Sequence, residues 1–207
     1  MAVNHSSYIL HLSKDKKFAK LLAGQETLVL SKRRHVYLYL CFSILSQQLS
    51  TKVAGTIRKR FLKLYPRIPS PEQILATPHA TFRSIGLSGA KANYVHNVAR
   101  FTLESGMDYK ILGKMNNEEV IEYLTRIKGV GRWTAEMLLM FTLGREDVFA
   151  ADDLGIQQAM ISIYKLDKKD KKKLREEMFR ISAKWSPYRS YACLHLWRHK
   201  DNAPDAG

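Results

Sequence analysis

Two neighbouring carboxylates, Asp152 and Asp153, stand at the start of a predicted helix and are the side chains best placed to do chemistry. A carboxylate at a helix N-terminus can stabilise a positive charge that develops while a bond breaks. The same position suits an ordinary N-cap, which accepts hydrogen bonds from backbone N–H groups and does no chemistry. The residues alone do not decide between these roles, nor which aspartate caps the helix if the other is catalytic.

A Gly-Val-Gly turn formed by Gly129, Val130 and Gly131 precedes the acidic pair and separates two predicted helices. Glycine permits backbone angles that other residues avoid and lets the chain approach a ligand closely. The N–H groups at the start of the next helix, together with Arg132, can bind a phosphate. A tight connection between two helices uses the same residue types, so this turn alone favours a structural role.

A second turn and a large positive charge strengthen the phosphate interpretation. Ser88, Gly89 and Lys91 stand at another predicted helix start and repeat the arrangement. Lysine and arginine number 34 against 19 aspartates and glutamates, which gives a formal net charge of +15. This excess favours a polyanionic partner, and because the basic residues are dispersed it favours nucleic acid over a membrane surface. Together these features predict a protein that binds nucleic acid and does chemistry on it.

Length and composition are those of an ordinary globular protein. The chain of 207 residues is long enough for one domain or two small lobes, and hydrophobic residues make up 45% of it. We find no apolar run that could span a bilayer and no signal peptide at the N-terminus. Cys41 and Cys193 are too few for an iron–sulfur cluster and lack the spacing of a zinc site, so we expect two free thiols.

Aromatic side chains accompany both candidate groups. Trp133 follows the Gly-Val-Gly turn directly. Four more aromatic residues occur near the C-terminus: Trp185, Tyr188, Tyr191 and Trp197. Aromatic residues at helical spacing usually belong to a core, but a pocket for a base that has left the duplex also needs stacking faces. His195 lies between two leucines and is expected to be a satisfied, half-buried side chain rather than a catalytic one.

Helical periodicity and capping residues predict an all-α fold with about nine to eleven helices. Ser50 precedes apolar residues at helical spacing and is a predicted N-cap. Ser70 and Thr77 each stand before a proline, which is typical of a helix start. Asn116 and Glu119 have the spacing of a capping box.

Two helices are predicted around the Gly-Val-Gly turn. The first is expected to end at Gly129, and the second to run from Arg132 to Leu143 and stop at Gly144. Helical periodicity then lapses over 144–150, which suggests a lobe boundary there. The lysine-rich run at 167–177 fits a solvated helix start better than a DNA-binding arm.

These motifs together resemble a known family. The segments IKGVGRWTAEMLLMF and DVFAADDLGIQQ are similar to the helix–hairpin–helix, loop and aspartate signature of the DNA glycosylase superfamily. ILSQQLSTKVAG and WSPYRSYACLHLW resemble its DNA-3-methyladenine glycosylase II branch. The likeness extends over about Val36–Trp197. It implies a two-lobed helical fold with one lobe at 36–144, a second at 1–35 plus 145–207, and the active-site cleft between them.

The resemblance implies that Asp153, the second aspartate of the pair, is the essential one. In the bifunctional branch similar to endonuclease III, a catalytic lysine follows the hairpin arginine, and in this chain Trp133 occupies that position. A lysine amine forms the Schiff base that leads to strand cleavage, which tryptophan cannot form. The resemblance therefore implies a monofunctional enzyme that uses water and requires neither an organic cofactor nor an iron–sulfur cluster.

The resemblance also implies how the hairpin contacts DNA. The hairpin comprises Ile127–Arg132 and is expected to bind a phosphate through Gly129, Gly131 and Arg132. In the family the backbone carbonyls of this hairpin often hold a monovalent cation next to the DNA phosphate. In this chain the carbonyls around Ile127 and Val130 correspond to that site, for Na⁺ or K⁺.

The resemblance also implies which residues form a wedge into the DNA and which form the base pocket. Gln47, Gln48 and Leu49 match the loop that enters the minor groove and fills the gap left by the flipped nucleotide. Gln48 is the expected wedge, with Leu49 beside it. The implied base pocket contains Trp133, Trp197, Met137 and Leu154. The last two stand where related enzymes have tyrosine, which makes this pocket less aromatic.

The implied function is hydrolysis of the N-glycosidic bond of alkylated purines, such as 3-methyladenine and 7-methylguanine, in duplex DNA. The expected partner is double-stranded DNA with damaged bases, bound by a monomer in a bacterial cytoplasm or a eukaryotic nucleus. Two alternatives remain open. One is a glycosylase of the same superfamily for oxidised or mismatched bases, and the other is a non-catalytic module that binds damaged DNA. Binding alone would require neither Asp153 nor Gln48.

Overall fold

The computed structural model describes residues 6–33 and 35–202. These residues form thirteen α-helices and one 3-10 helix, and no strand is found among them. The α-helices are, in chain order, α1 Ser6–Leu12, α2 Lys16–Leu22, α3 Val36–Ser46, α4 Thr51–Lys63, α5 Pro71–Ala76, α6 His79–Ser84, α7 Gly89–Ser105, α8 Tyr109–Leu112, α9 Asn117–Thr125, α10 Arg132–Phe141, α11 Leu154–Tyr164, α12 Lys171–Ser182 and α13 Arg189–Asn202. The 3-10 helix Ala183–Trp185 lies between the last two.

The all-α prediction is confirmed, but the predicted number of helices is too low. α5 and α6 contain 6 residues each and α8 contains 4, too few for a recognisable apolar periodicity. Within the described part of the chain, no helix combines the length and apolarity needed to cross a membrane. The two cysteines, Cys41 and Cys193, are buried thiols.

Capping residues fix several of the predicted helix starts. The hydroxyl of Ser50 accepts a hydrogen bond from the backbone N–H of Val53 at 3.5 Å and begins α4. Ser70 begins α5 through a capping box with Gln73, and Asn116 begins α9 through a capping box with Glu119. In each box the cap side chain and the third helical side chain satisfy each other's backbone N–H groups. These boundaries follow from local sequence because both partners lie within one helical turn.

Two other boundaries differ from the predictions. Thr77 is the C-cap of α5 rather than an N-cap, because its hydroxyl donates to the carbonyl of Gln73 at 2.8 Å and the next helix has Pro78 at its N-cap. α9 ends at Thr125, before Gly129, so the residues between them form the turn itself. α10 likewise stops at Phe141 rather than at Leu143.

The helices divide between two compact units. The first, which we call the hairpin unit, is Arg33–Leu143 and contains α3 to α10. Within it α7 packs against α3, α5 and α6, and α10 packs against α3 and α9. The second, which we call the aspartate unit, is Met1–Lys32 with Gly144–Gly207. In this unit α11 packs along α13, and α2 contacts both.

A buried polar cluster lies in the core of the aspartate unit. The rings of Tyr8 and Tyr191 stack at 4.1 Å between centroids. His195 is fully buried, with Nδ1 2.8 Å from Oε1 of Gln25 and Nε2 3.3 Å from the hydroxyl of Tyr8. Burial lowers the pKa of His195 from its ordinary value near 6.5 to about 4. The expectation of a satisfied histidine is confirmed, although the side chain is more deeply buried than predicted.

The buried His195 makes stability depend on pH. Between pH 6.5 and pH 4 the unfolded chain binds a proton at this residue and the folded chain does not, so stability falls as the pH is lowered through this window. We expect the free energy of unfolding of the wild type to drop by about 1–3 kcal/mol more than that of His195→Gln between pH 7 and pH 4. Urea denaturation at a series of pH values measures this difference, and parallel profiles for the two proteins would contradict it.

Candidate active site

Asp153 is held by two hydrogen bonds at the start of α11. Its Oδ1 accepts the backbone N–H of Ile156 at 2.9 Å, which makes it the N-cap of the helix. The indole N–H of Trp197, on α13, donates to the same Oδ1 at 2.8 Å. Two donors on one oxygen fix the plane of the carboxylate, and the helix dipole favours a negative charge at this end.

Gly155 makes room for the tryptophan that contacts this carboxylate. A Cβ atom at position 155 would lie 3.1 Å from Cδ1 of Trp197 and 3.1 Å from Oδ1 of Asp153. Either contact is tighter than an ordinary side chain makes, so a residue larger than glycine would push the indole away from the carboxylate. Leu154, the residue between, is 66% exposed.

The structure separates the two aspartates, which the residue pattern could not do. Asp152 is exposed and forms an ion pair with Arg175 of α12. Asp153 is partly buried and is the cap of α11. Asp152 therefore has a guanidinium beside it, and Asp153 accepts hydrogen bonds from a backbone amide and an indole.

The hairpin between α9 and α10 has a backbone conformation that requires glycine. Gly129 has φ +107°, and a Cβ atom there would lie 2.3 Å from the ring of Tyr94. The backbone N–H of Val130 donates to the carbonyl of Ile127 at 2.9 Å and closes the turn. The following helix begins with Gly131 as N-cap and no side-chain cap, so its first amides lie at an N-terminus suited to an anion.

Arg132, which is predicted to contact a phosphate, forms ion pairs within the hairpin unit. Its guanidinium forms a two-point ion pair with Glu118 of α9, with both N···O distances 2.7 Å. Its Nε also donates to Glu136 at 3.1 Å, one turn further along α10. The hydrogen bonds that Arg132 donates to Glu118 raise the pKa of the guanidinium above its ordinary value. The side chain therefore clamps the two helices of the hairpin together, and the backbone amides remain as the candidate phosphate ligands.

The predicted wedge lies where the chain leaves α3. Gln48 is exposed and has φ +57°, a left-handed conformation that is uncommon for residues other than glycine. Leu49 is 38% exposed. A cavity of about 550 Å³ opens beside this loop, lined by Ser43, Ser46, Gln47, Gln48, Ser88, Ala90, Lys91, Tyr94 and Trp133. The hairpin unit thus brings the wedge residues, the second turn and one of the predicted pocket tryptophans to one place.

The second turn is built from capping interactions. Ser88 is the N-cap of α7 and accepts the backbone N–H of Lys91 at 3.3 Å. The carbonyl of Gly89 bonds Nε2 of His79 at 3.1 Å. The ammonium of Lys91 donates to the backbone carbonyls of Leu45 and Gln47, at the end of α3 and the start of the predicted wedge loop, Gln47 to Leu49. The residues of this turn therefore have the structural, helix-capping role that their types also allow.

The four predicted pocket residues differ in accessibility. Trp133 is 43% exposed and Met137, one turn along α10, is only 5% exposed, so little of the methionine is available to a ligand. Trp197 was predicted as a stacking residue, and its hydrogen bond to Asp153 is a contact that the residue pattern did not indicate. The spacing of residues within α13 could not predict this hydrogen bond, because Asp153 lies 44 residues away in the chain.

Within the described residues, no group of three or more His, Cys, Asp or Glu side chains is placed to hold a metal ion.

The fold and these motifs define a class of protein. The chain belongs to the HhH-GPD superfamily of base excision DNA repair proteins, whose family model matches residues 41–184. A Schizosaccharomyces pombe protein named DNA-3-methyladenine glycosylase 1 is 34% identical over 88% of this chain and 80% of its own.

Two further relatives agree with this assignment. The solved structure of a Schizosaccharomyces pombe 3-methyladenine DNA glycosylase in complex with abasic DNA matches with a TM-score of 0.82 at 32% identity, over 95% of this chain and 97% of that one. A Bacillus subtilis protein, whose name also places it among the DNA-3-methyladenine glycosylases, is 34% identical over 79% of this chain. The match spans 58% of that longer protein.

Substitutions of Asp153 should separate its capping role from its charge. In Asp153→Asn the side-chain oxygen can still accept the N–H groups of Ile156 and Trp197, so we expect a loss of less than about 0.5 kcal/mol in the free energy of unfolding. Asp153→Ala removes both hydrogen bonds and should cost about 1–2 kcal/mol. Denaturant unfolding measures both values. Equal costs for the two variants would contradict the cap described above.

Proposed function

We propose that the chain is a DNA glycosylase that hydrolyses the N-glycosidic bond of alkylated purines in duplex DNA. The observation that carries the proposal is the carboxylate of Asp153, held by the α11 amide and the Trp197 indole in a member of a base excision repair family. The names of the relatives indicate the substrate class, since they are DNA-3-methyladenine glycosylases. Asp153 belongs to the aspartate unit, and the predicted wedge residues belong to the hairpin unit.

Binding begins with the DNA backbone. The net charge of +15 attracts the duplex, and the amides at the start of α10 bind a phosphate. Gln48, with Leu49 beside it, enters the minor groove and occupies the space of the flipped nucleotide. Unstacking and flipping cost a few kcal/mol, and the cost is least for a damaged base.

The chemistry requires little acid catalysis when the base is already cationic. In 3-methyladenine or 7-methylguanine nucleotides, the electrons of the C1′–N bond pass to the base and neutralise its charge as it leaves. The sugar becomes an oxocarbenium-like cation, which the carboxylate of Asp153 stabilises and which water attacks at C1′. The proton released by the water passes to the carboxylate or to solvent. The exposed face of Trp133 offers a stacking surface for the cationic base.

The products expected are a free base and an intact strand with an abasic site. Strand cleavage by a lyase needs an amine that attacks the sugar, and Trp133 stands at the position where the bifunctional branch has that lysine. The proposed enzyme is therefore monofunctional and uses water as its nucleophile.

We also propose a monovalent cation, Na⁺ or K⁺, at the carbonyls around Ile127 and Val130, where the resemblance to the family implies it. The neighbouring carbonyls of Lys128 and Gly129 accept side-chain amides from Asn97 and Gln47, both at 3.2 Å. Its charge would add to the attraction between the hairpin and a DNA phosphate.

The test compares wild type and Asp153→Asn on a methylated duplex. Because asparagine keeps the cap but not the charge, we expect base release to fall by at least about 100-fold while affinity for undamaged duplex stays the same. The readouts are the free base released and strand breaks before and after alkali. The matched control is Asp170→Asn, which changes another helix-capping aspartate of the same unit and should retain wild-type activity.

Each outcome of this test has one meaning. Breaks that appear only after alkali support a monofunctional glycosylase, whereas direct breaks by the wild type would show a lyase. An Asp153→Asn protein as active as the wild type would refute the assigned role of the carboxylate. A wild type that binds the duplex but releases no base would show a binding module instead.

A further inference from the structure

The backbone of the wedge loop is strained at Gln48. Its φ of +57° places a glutamine in the left-handed region, where the Cβ atom crowds the backbone. Such a conformation persists only when the surrounding structure fixes it. Within the loop, the N–H of Leu49 donates to the carbonyl of Ser46 at 3.2 Å, which is one such restraint.

Lys91 supplies a second and stronger restraint from another helix. Its ammonium donates to the carbonyl of Leu45 at 3.1 Å and to that of Gln47 at 2.6 Å. These carbonyls lie at the C-terminal end of α3, where a positive charge is favourable to the helix dipole. Burial lowers the pKa of Lys91, which agrees with an ammonium turned toward the protein and away from water.

Gln47 connects the same loop to the hairpin. Its side-chain amide donates to the carbonyl of Gly129 at 3.2 Å. Gly129 is the residue whose backbone lies against the ring of Tyr94 and has φ +107°. A short chain of contacts therefore runs from Lys91 through the wedge loop to the turn that is proposed to bind a phosphate.

We propose that Lys91 is a positioning residue that sets the wedge conformation, rather than a phosphate ligand, and that Gln47 fixes the wedge relative to the hairpin. This inference rests on the proposed function, because the wedge acts only when a nucleotide is flipped. Lys91 holds the carbonyls of Leu45 and Gln47, which precede Gln48 in the chain. The chain turns after them and leaves Gln48 and Leu49 exposed. Binding of the backbone by the hairpin then places the wedge at one register along the duplex.

Two measurements on Lys91→Met distinguish positioning from phosphate binding. The first is the salt dependence of affinity for undamaged duplex, and the second is the single-turnover rate of methylated-base release at saturating enzyme. A lost phosphate contact reduces the slope of log affinity against log salt by about 0.9. We expect that slope to be unchanged and the rate to fall by about 10- to 100-fold, as for a lost charged hydrogen bond.

The matched control is Lys114→Met, which removes an exposed lysine of the same unit. We expect its release rate to stay within about twofold of the wild type. For Lys91→Met, a slope reduced by about one with an unchanged rate would overturn the inference and make the residue a phosphate ligand.

A second variant serves if Lys91→Met fails to fold, as judged by circular dichroism. Gln47→Met leaves the ammonium in place and removes the link to the carbonyl of Gly129, so the release rate should fall by about 3- to 10-fold at unchanged affinity. A wild-type rate for this variant would overturn the link between wedge and hairpin. Failure of the wild type to release any base would instead count against the proposed function, so the two failures are distinguishable.

Discussion

The orientation of one carboxylate is the constraint on which the aspartate unit depends. A fixed charge stabilises a developing cation most when no side chain has to reorganise during the reaction. The amide of Ile156 and the indole of Trp197 provide this by meeting at Oδ1 of Asp153. The absence of a side chain at Gly155 lets the indole come that close. Capping and catalysis are therefore compatible roles for Asp153, because the cap is what holds the charge in place.

The hairpin unit meets a related requirement by different means. The phosphate ligands proposed for it are backbone amides, and their placement depends on the rigidity of the turn. The ion pair of Arg132 with Glu118 joins α10 to α9 across the turn, and the ion pair of Arg132 with Glu136 lies within α10. The ring of Tyr94, on α7, lies close to Gly129 and restrains the turn from a third helix. Arg132 thus makes the hairpin turn more rigid, and the positive net charge of the whole chain attracts the duplex.

Local sequence was sufficient for some features of the fold and not for others. The capping boxes at Ser70 and Asn116 were predictable because both partners lie within four positions of each other. Thr77 was assigned to the wrong helix because a threonine before a proline also suits the end of a helix, where its hydroxyl can bond the preceding turn. The 4-residue helix α8 carries too little pattern to be detected.

In the candidate site, too, local sequence indicates some residues but not their distant partners. The positions of Asp153 and of the glycine turn were recognisable from residue types and spacing. The pairing of Arg132 with Glu118 and the partners of Lys91 and Trp197 were not, because these partners lie 14, 44 to 46, and 44 residues away in the chain. Lysine and arginine next to a glycine turn predict phosphate contacts, and the structure adds carbonyl and carboxylate partners that the residue pattern does not indicate.

The most direct test of the central claim is the single-turnover rate of methylated-base release by Trp197→Phe, measured with enzyme in excess over the duplex. Phenylalanine keeps an aromatic face but has no N–H to donate to Asp153. If the indole orients the carboxylate, the rate should fall by about 10- to 100-fold while affinity for an abasic duplex is retained. A wild-type rate would show that the carboxylate does not depend on this hydrogen bond and would contradict the orienting role of the indole.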